Sequence, residues 1–200
     1  MRFPCATRLV CCFQYEEDAR NFYEELKERL AKFNLTVAGE KTKIIPFGKE
    51  SQEGSSDAGG NTVDFLGITH YGGKSRHGKY RVKRKTSSKK YRASILKCKE
   101  WIKLNRHLPA NELMRKLRLK LNGYYRYYGI TDNYRAMQMF QYQLNKMLYK
   151  WLNRRSQRRS FGWEKYTLFL KRYPLPQPRI HVNIFDLQAK HTKWLRGMMI

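Results

Sequence analysis

The sequence predicts an α+β protein: a few short strands and one helix, then a basic bundle of helices. Three observations carry this. Residues 1–85 hold short apolar runs of strand type around a single helical stripe. Residues 86–172 hold four successive apolar stripes at helical spacing, separated by turn residues. Charge changes across the same boundary. Residues 86–172 carry 22 Lys and Arg against 4 Asp and Glu, whereas residues 1–60 carry 9 against 10, in a chain of net charge +26. The expected domains are 1–85, 86–172 and a proline-containing tail, 173–200.

The first part opens on Leu9–Gln14, an apolar run read as a strand. Glu16, Glu17 and Asp18 follow, where a helix N-terminus favours negative charge. The helix should reach about Phe33, because Ala19, Phe22, Tyr23, Leu26, Leu30 and Phe33 recur at helical spacing. Asn34 is a stop. Leu35–Val37 and Thr42–Phe47 read as strands around a turn at Gly39, with Pro46 at a strand end or edge. Residues 48–61 are rich in Gly, Ser and charge and read as a loop. Val63–Thr69 is a further strand. Gly72–Gly78 is a turn-rich basic tip, and Lys79–Lys85 alternates with Tyr80 and Val82 on one face and cations on the other. Together these make a hairpin.

Thr86, Ser87 and Ser88 are good cap residues for a helix through Arg106. Its stripe is Tyr91, Ile95, Cys98 and Ile102, with Trp101 beside it. Pro109 marks a boundary. A second helix, 111–128, carries Met114, Leu117, Leu121 and Tyr125, and Gly129 fits its C-terminal stop. A third, capped by Thr131 or Asp132, runs to about Trp151 with Tyr134, Met137, Phe140, Leu144, Met147 and Leu148 on its stripe. A short fourth helix, capped by Ser160, carries Trp163, Tyr166, Phe169 and Leu170. Pro174, Pro176 and Pro178 then enforce an extended segment, and Ile180–Phe185 reads as strand-like.

The composition narrows the partners. A sequence pI near 10.1 and a concentrated basic block point to a polyanion, nucleic acid first. An aromatic content of 14% is too high for a disordered basic tail. No apolar run approaches the roughly 20 residues a bilayer span requires, so no membrane partner is expected. Cys5, Cys11, Cys12 and Cys98 form no CxxC pair and no zinc spacing. They read as reduced thiols of a cytoplasmic protein. His70, His77, His107, His181 and His191 are scattered, so no metal site and no cofactor are expected.

Candidate RNA contacts follow from the same block. Lys83, Arg84 and Lys85 end the hairpin, and Lys89, Lys90 and Arg92 open the first helix of the bundle. Four tyrosines within Gly123–Gly129 cannot all face one core. Two are expected inside and two presented, with Tyr124, Arg126 and Tyr127 the candidates for stacking and phosphate contact. Arg154, Arg155, Arg158 and Arg159 form the densest cationic segment, suited to bidentate phosphate contacts or, alternatively, an unstructured linker.

These stretches carry a resemblance. The order VCCFQYEEDA, EKTKI, DFLG, a basic hairpin into KRKTS, GYYRYYG, WLNRRSQRRS and PLPQPRI resembles the C-terminal half of a bacterial group II intron reverse transcriptase/maturase, from about Leu9 to Phe185. The resemblance implies that residues up to about Lys85 are the end of a reverse-transcriptase palm. It implies that 86–172 is the thumb, or maturase-specific domain, which grips intron RNA to promote splicing and holds the primer–template duplex during cDNA synthesis. It places the chain among products of mobile genetic elements. Lys41 matches a palm lysine held near the incoming nucleotide.

One departure bears on chemistry. Family members carry a Tyr-Ala-Asp-Asp turn just before the strand that here reads LVCCFQ. Aligned on that strand, the turn is Cys5, Ala6, Thr7 and Arg8, so Thr7 and Arg8 replace the carboxylates that hold Mg²⁺. The expectation is a truncated RNA-binding fragment that is not an enzyme on its own. Two alternatives stand beside it: a polymerase completed by a separate N-terminal reverse-transcriptase fragment, and a decayed retroelement product.

Overall fold

The computed structural model describes residues 9–47, 62–75, 77–155 and 162–186. The chain forms two compact units, Met1–Asn61 and Thr62–Ile200. Residues 1–8, the loop 48–61, Arg158, Arg159, Ser160 and residues 187–200 lie outside the described residues.

The first unit is built on α1 (Glu16–Ala31), with Glu16, Glu17 and Asp18 in its first turn as its N-terminus favours. Asn34 ends it in the left-handed region at φ 55°. The Leu35 amide donates to the Leu30 carbonyl and the Asn34 amide to the Ala31 carbonyl, the paired bonds of a Schellman stop. Gly39–Lys41 is one 3-10 turn. The expected strands at Leu9–Gln14, Leu35–Val37 and Thr42–Phe47 are absent among the described residues. β propensity alone does not make a strand, because the ladder needs a neighbour. The apolar stripe of α1 is half-covered at Phe22, Tyr23, Leu26 and Leu30, and no described residue of this unit is buried.

The second unit begins with an antiparallel meander, β1 (Thr62–Phe65), β2 (Ile68–Lys74) and β3 (Tyr80–Thr86), in that order across the sheet. The single strand expected at Val63–Thr69 is in fact two strands and their turn. Leu66 and Gly67 both have positive φ, 47° and 79°, the geometry of a two-residue type I′ hairpin turn. The register pairs Tyr71 with Lys83 and His70 with Arg84.

Four helices follow: α2 (Ser88–Asn105), α3 (Ala110–Tyr128), α4 (Tyr134–Leu152) and α5 (Trp163–Arg172). Ser87 caps α2 and accepts the Lys90 amide. Most of the core comes from α3 (Leu113, Met114, Leu117, Leu121 and Tyr125) and α4 (Met137, Phe140, Leu144 and Leu148), and α4 lies closest to α2. Ile102 of α2 and Tyr166 of α5 close it on two sides. Tyr134 and Trp163, expected on the stripes, are largely exposed at the first turns of their helices.

The compact unit that holds the bundle begins at Thr62 and takes in the meander, which is bonded to the helices. The Ser87 amide donates to the Gly67 carbonyl at 2.9 Å. Asn133, 1% exposed, receives the Thr86 amide on its Oδ1 at 2.8 Å and donates from Nδ2 to the Tyr128 carbonyl at 2.8 Å. One side chain thus joins β3, the end of α3 and the start of α4. For that reason it makes no cap bond to α4, and neither Thr131 nor Asp132 takes the cap position. Asp132 instead pairs with Arg81. The tail 174–182 straps the bundle. Arg118 Nε donates to the Pro174 carbonyl at 2.8 Å, and Val182 forms a parallel bridge with Ile130.

Candidate nucleic-acid interface

Packing the stripes inward leaves Lys and Arg outside, and the sites differ in what holds each cation. Lys89 and Lys90 sit in the first turn of α2 and are exposed, as is Arg92 one turn on. That turn holds no acidic residue. The helix dipole disfavours cations at an N-terminus, so these lysines are placed against local preference. Exposed backbone amides and lysines at one helix end make an anion-binding arrangement.

The meander brings more residues to this end. Tyr127 is 56% exposed, and its hydroxyl donates to the Leu66 carbonyl at 2.7 Å. The Gly67 turn lies against the Lys90 stem. Lys90, Tyr127 and the β1–β2 turn therefore form one surface, and Arg126 beside it is exposed. Lys83 and Lys85 lie on the sheet face that also carries Tyr71, with the Lys85 ammonium 4.9 Å from the Tyr71 ring centre.

Other expected contacts are used internally. Tyr124 stacks on Phe140, rings 3.9 Å apart at 13°, and burial pushes its hydroxyl well above the usual tyrosine range. Three of the four tyrosines pack inward, not two, so Tyr124 is a core residue and has no face for a base. Arg155 donates to the Leu108 carbonyl at 2.9 Å, and burial pulls its guanidinium below its ordinary value. It ties the α2–α3 loop to the end of α4 and is not a free phosphate ligand. Arg84 lies on the sheet face opposite Lys83 and Lys85, across from His70. Burial and then neighbouring Arg81 lower its pKa. Arg154 is exposed beside Trp151.

Two cations passed over in the sequence, Lys103 and Arg106, lie near the same tryptophan. Their mutual spacing gives one turn of α2, but nothing in the sequence shows that α4 brings Trp151 to them.

Residues 91–169 match the family model of the group II intron maturase-specific domain. This stretch is similar to a maturase-specific domain of the group II intron type. Neither the curated proteins nor the solved structures compared with the chain gave a match. The matched stretch starts in α2 and ends in α5, so it contains the whole α3–α4 core. The meander precedes the matched stretch in sequence and packs as one unit with it.

Among the described residues no group of three His, Cys, Asp or Glu side chains is placed to hold a metal. Thr7 and Arg8 lie outside the described residues. As donors, a hydroxyl and a guanidinium do not match the oxygen set that Mg²⁺ requires. No helix among the described residues is long and apolar enough to cross a membrane.

Proposed function

We propose that the chain binds group II intron RNA and assists its splicing, with residues 86–172 as the thumb of an intron-encoded protein and residues up to Lys85 as the end of its palm. One observation carries this reading. The maturase-specific match falls on the block that holds most of the chain's positive charge. Two of its exposed cations, Lys89 and Lys90, stand in the first turn of α2, where helix electrostatics alone would not put them. Lys89, Lys90, Arg92, Arg126, Lys83, Lys85 and Arg154 would neutralise phosphates, and Tyr127 would offer a ring face to an unpaired base. The protein would bias the RNA toward its active fold, and the RNA would supply the splicing chemistry. Exposed, unbridged Cys11 and Cys12 fit a reducing, cytoplasmic setting.

The test is competition binding followed by splicing. Labelled group II intron RNA on the purified chain should resist displacement by a random duplex of equal length. The chain should also speed splicing of that intron at limiting Mg²⁺. Equal displacement by both RNAs would rule out a maturase role and leave a general RNA binder.

Polymerase chemistry is not proposed for this chain, because Thr7 and Arg8 stand where the metal-holding carboxylates belong. Primer extension with Mg²⁺ should give no product, and robust extension would overturn that assignment. A second reading, completion by a separate N-terminal reverse-transcriptase polypeptide, draws on the absence of any buried side chain among the described residues of the first unit. Co-expression with such a polypeptide would then protect α1 from protease.

A further inference from the structure

Trp151, near the C-terminal end of α4, is the centre of a cationic corner. Its ring centre lies 5.5 Å from the Arg106 guanidinium, 5.5 Å from that of Arg154 and 6.0 Å from the Lys103 ammonium. Lys103 and Arg106 come from the end of α2, and Arg154 from the end of α4. Neither 101–109 nor 146–155 contains an Asp or Glu. No ion pair neutralises any of the three among the described residues.

The ordinary role for such cations is to cover a tryptophan and to complement helix C-termini, which favour positive charge. That role explains one or two of them. Here three share one ring, each within 6.0 Å of its centre. Arg155, bonded to the Leu108 carbonyl, pins the loop that carries Arg106 to the end of α4. The corner is thus preorganised before any ligand arrives. Arg106 Nε is buried without a hydrogen-bond partner.

The geometry points to a phosphate clamp: Lys103, Arg106 and Arg154 around Trp151 hold an RNA backbone phosphate at the end of the bundle away from the α2 N-terminus. Trp151 is only 8% exposed, so its ring orients the cations and does not stack on a base. The clamp therefore reads backbone and not sequence. The length of α2 separates it from the lysines of the first turn, roughly 20–25 Å along the helix. One RNA helix would be held at two points. This clamp rests on the RNA-binding reading above and adds a named second anchor to it.

The experiment measures Kd against salt for a 20-base-pair RNA duplex of arbitrary sequence. The proteins are the full chain, the Arg106→Gln/Arg154→Gln pair, the Arg106→Lys/Arg154→Lys pair, and Lys165→Gln/Lys171→Gln on α5 as a charge-matched control. The glutamine pair should bind roughly tenfold more weakly, with the salt slope reduced by about 0.9, one phosphate contact. The lysine pair should keep the parent slope with a several-fold loss of affinity, because the bidentate fork is gone. The control should keep both. Equal changes in the glutamine pair and the control, or no change in either, overturn the clamp. If the glutamine pair does not melt cooperatively, the lysine pair decides: parent affinity overturns the clamp. If the parent chain binds no duplex, the RNA-binding reading fails first and the clamp with it.

Discussion

Asn133 and His70 show how single side chains set the stability of the second unit. Asn133 satisfies the Thr86 amide and the Tyr128 carbonyl from a buried position. Asn133→Ala leaves the buried Thr86 amide without this acceptor, at about 1–3 kcal/mol, while the Tyr128 carbonyl keeps the Ile130 amide. A denaturant melt of the variant should show a loss of about 1–3 kcal/mol; no loss would mean that the junction does not depend on it. His70 is half-buried on the sheet, and desolvation, then the Arg84 charge, lower its pKa from the ordinary value of 6.5. The sign follows from linkage. The unfolded chain takes up the proton first as pH falls, so stability is fully present above pH 6.5 and declines below it. Thermal melts at pH 7.5 and pH 5.5 should therefore differ, and His70→Gln should shrink the difference. Tyr124 illustrates what sequence conceals at this scale. Tyr124 and Tyr127 look alike within Gly123–Gly129, and only the position of Phe140 on α4 decides that Tyr124 stacks inward while Tyr127 stays out.

At the scale of elements, two glycines of α3 predict opposite outcomes. Gly123 lies inside the helix with open space where a side chain would sit. Gly123→Ala should stabilise the protein by up to about 1 kcal/mol, from helix propensity and a less flexible unfolded chain. Gly129 ends the helix, and a Cβ there would lie 2.6 Å from the Arg179 carbonyl oxygen and 2.8 Å from His181 Cδ2, closer still to the Tyr125 carbonyl oxygen. Two of these neighbours are backbone and cannot swing away. Gly129→Ala should cost about 1–3 kcal/mol and release the 179–182 strap, seen as faster proteolysis there. The four helices were legible because each stripe is long and periodic and its breaks fall at Ser87, Pro109 and Gly129. The β1–β2 turn was not, because Leu66 is an unusual residue for positive φ and hid the hairpin inside an apolar run. The three strands read into the first unit failed for another reason: a short apolar run says nothing about whether a neighbouring strand is there to bond it.

At the scale of the whole molecule, charge and fold agree in the second unit. Its core is apolar and aromatic, and its acids are few and partly committed, Asp132 to Arg81 and Glu112 to Lys116. The remaining cations repel one another in the free protein, and a polyanion relieves that repulsion. The family and the basic block were readable in the sequence, from motif order and charge. The two ends of the basic surface were not, because the α2 N-terminus meets the β1–β2 turn, and the α2 C-terminus meets Trp151, only in three dimensions. The measurement that tests the central claim most directly is the salt dependence of the affinity of the purified chain for folded group II intron RNA, by filter binding between 50 and 300 mM salt. With six or more phosphate contacts the logarithm of Kd should rise with the logarithm of salt at a slope of roughly 5 or more. A flat response would contradict an electrostatic RNA-binding bundle.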